Sequence, residues 1–142
     1  MKKRILILCT GNSCRSQMAE GYLKNLDSEL EVFSAGTKPA SQVNKYAVKA
    51  MNEKGIDISG GVPEDVEKYL NHSFDYVVTV CDNAKETCPV FTGQVKHRVH
   101  IGFDDPADAV GREDEVMPVY RRVRDEIFFE FGKFYNNVIA VS

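Results

Sequence analysis

Cys9, Arg15 and Ser16 stand in the run Cys9-Thr10-Gly11-Asn12-Ser13-Cys14-Arg15-Ser16, which sets a thiol five residues before a guanidinium and a hydroxyl. A loop of this composition suits a tetrahedral oxyanion. Its small and polar residues let backbone N–H groups converge, and a helix opening at its far side adds the positive end of its dipole. Arg15 supplies a bidentate fork for the anion's oxygens. The same field favours Cys9 as a thiolate nucleophile, to which Ser16 can donate a further hydrogen bond. A lone cysteine at a strand end would read more simply as a packed thiol. The complete Cys-x5-Arg-Ser set points instead to an anion site lined by residues 10–15.

A second thiol pair lies in Cys81-Asp82-Asn83-Ala84-Lys85-Glu86-Thr87-Cys88. On an α-helix seven residues make about two turns, so the two sulfurs share a face but sit roughly 10 Å apart. A disulfide needs Cα atoms within about 7 Å, so pairing them requires the segment to loop out. Asp82 and Asn83 compete for backbone bonds and make such a segment easy to melt. The chemistry this permits is a relay. Cys9 attacks a bound oxyanion, Cys81 resolves the adduct, and Cys88 attacks Cys81 to leave a disulfide open to an external reductant. Two plainer readings stay open. The pair can be unrelated buried thiols, or Cys81, Cys88, His97 and His100 can hold zinc, although their spacing fits common zinc patterns poorly. Cys14, inside the anion loop, reads as a packed thiol, and His72 as a surface residue without an evident partner.

Asp105 precedes Pro106, which biases it toward extended backbone. Held in a loop near the sheet rim it can protonate a leaving oxygen, with Asp104 beside it as a source of like charge. An Asx-type turn is an equally good account of Asp105 taken alone. Asp108, Glu113, Asp114 and Glu115 read as a solvated loop and helix start.

These residues need elements to position them. Ile5-Leu6-Ile7-Leu8 is a buried strand over about residues 4–8, followed by a helix over about 14–26 with Met18, Tyr22, Leu23 and Leu26 inward. Glu31-Val32-Phe33-Ser34 is a second strand. Asn44 is the N-cap of a helix carrying Ala47, Val48 and Met51, with Gly55 past its end. A short helix after Pro63 turns Val66, Tyr69 and Leu70 inward. Tyr76–Val80 reads as a central parallel strand that delivers Cys81, and Val99–Ile101 as a weak edge strand. The last helix has Val116, Tyr120, Val123, Ile127, Phe131, Phe134 and Val138 in register, with Phe128 and Phe129 widening its apolar face. Alternating strands and helices predict a single α/β domain over 1–142, with Cys9 and Cys81 on one rim of a parallel sheet.

A chain of 142 residues with 43% hydrophobic and 27% charged residues can bury a proper core. Its net charge of −3 argues against a nucleic-acid partner. The apolar run after Met1-Lys2-Lys3-Arg4 is too short for a signal peptide or membrane span. No membrane association and a cytoplasmic location are therefore expected. Four cysteines in a reducing compartment read as catalytic, redox or metal-binding rather than as staples.

The run Cys9 to Gly21 resembles the signature of thioredoxin-coupled arsenate reductases, which are built on the low-molecular-weight protein tyrosine phosphatase fold. The resemblance continues through Ser34-Ala35-Gly36, Ile56-Asp57-Ile58-Ser59, Val77 to Cys81, Cys88-Pro89, Gly102 to Ala107 and Arg122 to Ile127. It implies a four-stranded parallel sheet flanked by helices. It makes Cys9 the nucleophile, Arg15 the oxyanion clamp, Ser16 the thiolate's partner, Asp105 the acid, and Cys81 and Cys88 the redox pair. Arsenate would be the substrate, with phosphate or sulfate as mimics, and thioredoxin or another thiol reductant would restore the thiols. No tightly bound cofactor is implied beyond a potassium ion, held through positions that match Asn12, Glu20 and Ser34, with Glu64 where a further acidic ligand is expected. The alternative is phosphate-ester hydrolysis through Cys9, Arg15 and Asp105. Phosphatases of this fold usually carry Pro where Gln17 stands and tyrosines after the Asp-Pro pair, where this chain has Ala107-Asp108-Ala109-Val110. A non-enzymatic thiol or zinc module is the third reading.

Overall fold

The β-branched and leucine side chains of Ile5, Leu6, Ile7 and Leu8 are all fully buried, as a strand covered on both faces requires. The computed structural model describes residues 3–82 and 90–141. Its elements follow in the order β1 (Arg4–Cys9), α1 (Arg15–Leu26), β2 (Glu31–Gly36), α2 (Lys45–Asn52), a 3-10 turn (Val66–Tyr69), β3 (Ser73–Thr79), β4 (Gln94–His100), a 3-10 turn (Pro106–Asp108) and α3 (Glu113–Phe134). The four strands form one parallel sheet in the order β2-β1-β3-β4. The chain leaves β1 to one side for β2 and crosses back to the other for β3. The carboxyl end of β1 is therefore the topological switch point, where open α/β sheets bind ligands.

The two faces of the sheet are covered unequally. Ile5, Ile7, Val32, Tyr76 and Val78 pack with the buried stripes of α1, α2 and α3. Leu6, Leu8, Phe74 and Val77 on the opposite face meet Tyr69 and Phe91. Among the described residues no helix is long and apolar enough to cross a membrane.

Local signals account for most boundaries. Asn44 caps α2 as its type predicts, accepting from the N–H groups of Tyr46 at 2.8 Å and Ala47 at 3.2 Å. Gly55 takes a φ of +75° after that helix, where a side chain would be strained.

Tertiary packing moved several positions. Both β3 and β4 are longer than their apolar runs, because the backbone ladder between them recruits polar residues such as Ser73, Lys96 and Arg98 at an exposed edge. Leu26 and Leu70 lie at the surface rather than inward. At the end of α3 a π-type turn (Tyr135–Ile139) puts an extra residue into one turn, so Ile139 rather than Val138 becomes the next buried side chain after Phe134. Phe128 stacks on Tyr22 with centroids 4.3 Å apart, whereas Phe129 stands in solvent. His72 is exposed but not isolated, with Arg4 Nη2 3.3 Å from its Nδ1 and Tyr69 at its ring edge.

Candidate active site

Cys9 is the last residue of β1 and is buried, and the chain turns from it through residues 10–14 into α1. The bend is held from outside. Lys38 N–H donates to the Thr10 carbonyl at 3.0 Å, Ala40 N–H to Gly11 at 2.9 Å, and Asn44 N–H to Ser13 at 2.8 Å. In a planar trans peptide the following N–H points opposite to its carbonyl. Tying these three carbonyls outward therefore turns the N–H groups of Gly11, Asn12 and Cys14 inward, toward the cavity that these residues line. That cavity measures about 280 Å³ and is walled by Cys9, the loop to Arg15, Asp105 and Asp108. The first turn of α1 opens onto it, adding the helix's positive end.

Asn12 locks the loop. Its φ of +50° is a left-handed conformation that Asn tolerates better than most residues. Its side chain is used at both ends, with Oδ1 accepting from Glu64 N–H at 2.8 Å and Nδ2 donating to Ser16 Oγ at 2.7 Å. Gln17 Nε2 donates to the Asn12 carbonyl at 3.1 Å. Gly36, at the end of β2, lies so close to the loop that a Cβ there would stand 2.3 Å from the Thr10 oxygen. Ser16 is fully buried, and its bond from Asn12 fixes how its own O–H can turn.

Arg15 is buried at the first position of α1. Its Nη1 donates to the Phe103 carbonyl at 3.1 Å, and its Nη2 lies 3.5 Å from Asp105 Oδ2. Asp105 has both the extended backbone and the Asx-type turn expected of it, and it lies at the anion loop. Its φ of −84° and ψ of 109° are extended, its Oδ1 accepts from Ala107 N–H at 3.0 Å, and its other oxygen faces Arg15. Asp104 pairs with Arg122 at 3.2 Å instead of with its neighbour. Asp108, read from sequence as solvated loop, lines the cavity.

Cys81 arrives on the same rim. Leu8 of β1 is in register with Thr79 of β3, and Val80 N–H donates to the Leu8 carbonyl at 3.0 Å. Cys81 is fully buried and disulfide-bonded, while Cys9 and Cys14 are in no disulfide. Cys88 and the looping-out expected of the segment before it fall in residues 83–89, outside the described residues. Burial pushes the Cys14 thiol well above its usual value, aided by the Asp105 carboxylate and by Cys9 and opposed by Arg15. Cys14 is thus a neutral packed thiol. Of the zinc candidates, His97 stacks on Tyr76 and His100 Nδ1 sits 2.7 Å from Thr79 Oγ1. Among the described residues no three His, Cys, Asp or Glu side chains are grouped to hold a metal.

The positions expected to hold potassium form two hydrogen-bonded pairs. Ser34 Oγ donates to Glu20 Oε1 at 2.5 Å, Asn12 receives the Glu64 N–H, and both carboxylates act on the Tyr69 phenol. The donor set is all oxygen, which suits a hard cation. Lys24 and Lys68 pair with Glu20 and Glu64 at 2.6 and 3.1 Å.

The sequence does not signal two supports of the loop. Asn44 joins it to α3 through Nδ2, which donates to the Tyr120 hydroxyl at 3.0 Å. The Phe103 carbonyl that receives Arg15 belongs to a residue pinned by its own N–H on the Val80 carbonyl at 3.1 Å. A larger groove of about 930 Å³ between His100–Phe103 and α3 is lined by no cysteine and lies outside this constellation.

Comparison with known proteins agrees with this geometry. An arsenate reductase of Halalkalibacterium halodurans is 52% identical over 139 residues, covering 93% of this chain and 99% of its own. One from Bacillus subtilis is 49% identical over 138 residues, covering 92% and 98%. A solved structure of an arsenate reductase in the phosphate-binding state superposes with a TM-score of 0.79 at 28% identity, covering 96% of this chain and 98% of that one. Residues 4–139 match the family described as low molecular weight phosphotyrosine protein phosphatase, and the chain belongs to that family.

Proposed function

We propose that the protein is an arsenate reductase working by a thiol relay. The observation that carries this is the placement of Cys81, already disulfide-bonded, on the rim that also holds Cys9 and its oxyanion cradle. A hydrolase would need the cradle, Arg15 and Asp105 but no second redox thiol.

The inward N–H groups and Arg15 favour negative charge on the Cys9 sulfur and on the oxygens of bound arsenate. Cys9 Sγ attacks arsenic and a hydroxyl leaves as water, taking its proton from Asp105. Cys81 then attacks Cys9 Sγ. The new S–S bond forms as the As–S bond breaks, and its electron pair stays on arsenic, so As(V) leaves as As(III). Cys88 attacks Cys81, Cys9 departs as thiolate, and the remaining disulfide is reduced by thioredoxin or another dithiol. The part of Cys88 follows from its place in the sequence. Potassium held by Asn12, Glu20, Ser34 and Glu64 belongs to the same proposal and would supply positive charge behind the loop.

The test is arsenate-dependent NADPH oxidation coupled through thioredoxin and its reductase. Wild type should turn over, Cys9→Ser should be inactive, and Cys81→Ser and Cys88→Ser should lose multiple turnover. Full turnover in both of the latter would overturn the relay. Phosphate-ester hydrolysis is the second reading, favoured by the approach of Asp105 to Arg15. The absence of an aromatic ring from Ala107 to Val110 weighs against aryl phosphates as its main substrates.

A further inference from the structure

The oxyanion cavity carries more negative charge than an anion site needs. Arg15 is the one cationic side chain among the described residues lining it, and Asp105 and Asp108 line it as well. Asp105 is accounted for by Arg15 and by its capping of the turn that follows. Asp108 ends that turn, its N–H donating to the Asp105 carbonyl at 3.1 Å. The turn between them leaves both carboxylate residues in the wall of the cavity.

A second carboxylate facing a dianion is repulsive unless the ligand brings it a hydrogen. Hydrogen arsenate and hydrogen phosphate keep one O–H near neutral pH, whereas the dianion of a phosphate monoester has a bridging oxygen there and nothing to donate. Building on the reading of this cavity as a tetrahedral-oxyanion site, we infer that Asp108 determines specificity. It accepts a hydrogen bond from the O–H of a free hydrogen oxyanion and rejects monoesters. The long-range repulsion falls on both ligands alike, so the hydrogen bond is what separates them. A site built around such a bond discriminates strongly against an analogue that lacks the donor. Asp108 is itself exposed, so its charge costs little when the cavity is empty.

The test titrates inorganic phosphate and methyl phosphate by calorimetry into wild type, Asp108→Asn and Asp108→Ala. At about pH 8 both ligands are dianions, and only one carries an O–H. Wild type should prefer inorganic phosphate by about tenfold, the worth of one charge-assisted hydrogen bond. In Asp108→Ala the preference should shrink to about threefold or less, with methyl phosphate gaining affinity. Asp108→Asn, which keeps the volume and removes the charge, should also narrow the gap. An unchanged ratio in both variants would overturn the inference. A ratio kept in Asn and lost only in Ala would make size the discriminator and overturn it equally. If wild type binds no inorganic phosphate, the oxyanion reading itself falls, and the inference with it.

Discussion

The Arg15 guanidinium lies 3.5 Å from the Asp105 carboxylate through Nη2 and donates to the Phe103 carbonyl through Nη1 at 3.1 Å. One buried side chain at the start of α1 thus ties the anion loop to the loop that carries Asp105. Lysine has a single donor head and cannot span both partners. Arg15→Lys should therefore lower arsenate turnover by about 10²–10³-fold while the circular dichroism spectrum stays that of wild type. Near-normal turnover would overturn the proposed clamp role of Arg15.

Asn12 combines a left-handed backbone with bonds at both ends of its amide. Asn12→Gly relieves the backbone strain but loses both side-chain bonds, whereas Asn12→Ala suffers from both changes. Glycine should cost about 2 kcal/mol and alanine about 1 kcal/mol more, read as denaturation midpoints. Equal losses in the two variants would mean that the positive φ is not retained.

Burial raises the Tyr120 phenol to about 12, so it stays protonated after an unfolded tyrosine has ionised. The folded state then holds a proton that the unfolded state has released, and stability falls as pH rises from about 10 toward 12. Below that window the contribution is fully present. Tyr120→Phe should remove this part of the alkaline loss. At neutral pH it should cost about 1 kcal/mol, because Asn44 Nδ2 loses its acceptor. Thermal melts of both proteins from neutral pH to about pH 11 would check it, the wild-type curve falling more steeply above about pH 10.

The oxygens expected to hold potassium come from Asn12, Glu20, Ser34 and Glu64. Replacing sodium by potassium at constant ionic strength should raise the melting temperature by a few degrees, roughly what 1 kcal/mol gives in a domain of this size. Glu20→Gln should abolish the difference. A melting temperature indifferent to the cation would leave the Glu20–Ser34 bond as the whole function of that pair.

The strand ending in Cys9, the loop to Ser16, the helix beyond it, the Asn44 cap and Gly55 were all legible in order along the chain. Each depends on neighbours a few residues away, through β-branched runs, helical periodicity and capping chemistry. The same holds for the arrival of Cys81 at the end of an apolar strand, since a parallel sheet puts such ends on one rim. What tertiary structure alone decided is the machinery around them. Arg15 meets a carbonyl 88 residues away, Asn12 an N–H 52 residues away, and Asn44 a hydroxyl 76 residues away. Those partners are backbone groups or ordinary polar side chains that carry no local signal. Asp108 belongs with them, because a carboxylate in a polar loop reads as solvated until a 3-10 turn sets it beside Asp105. Sequence by itself determined the fold and the loop from Cys9 to Ser16 that lines the cavity, because backbone preference and burial pattern encode them locally. Which groups lock, orient and screen that cradle is a matter of long-range contact, settled only when the sheet and α3 close around it.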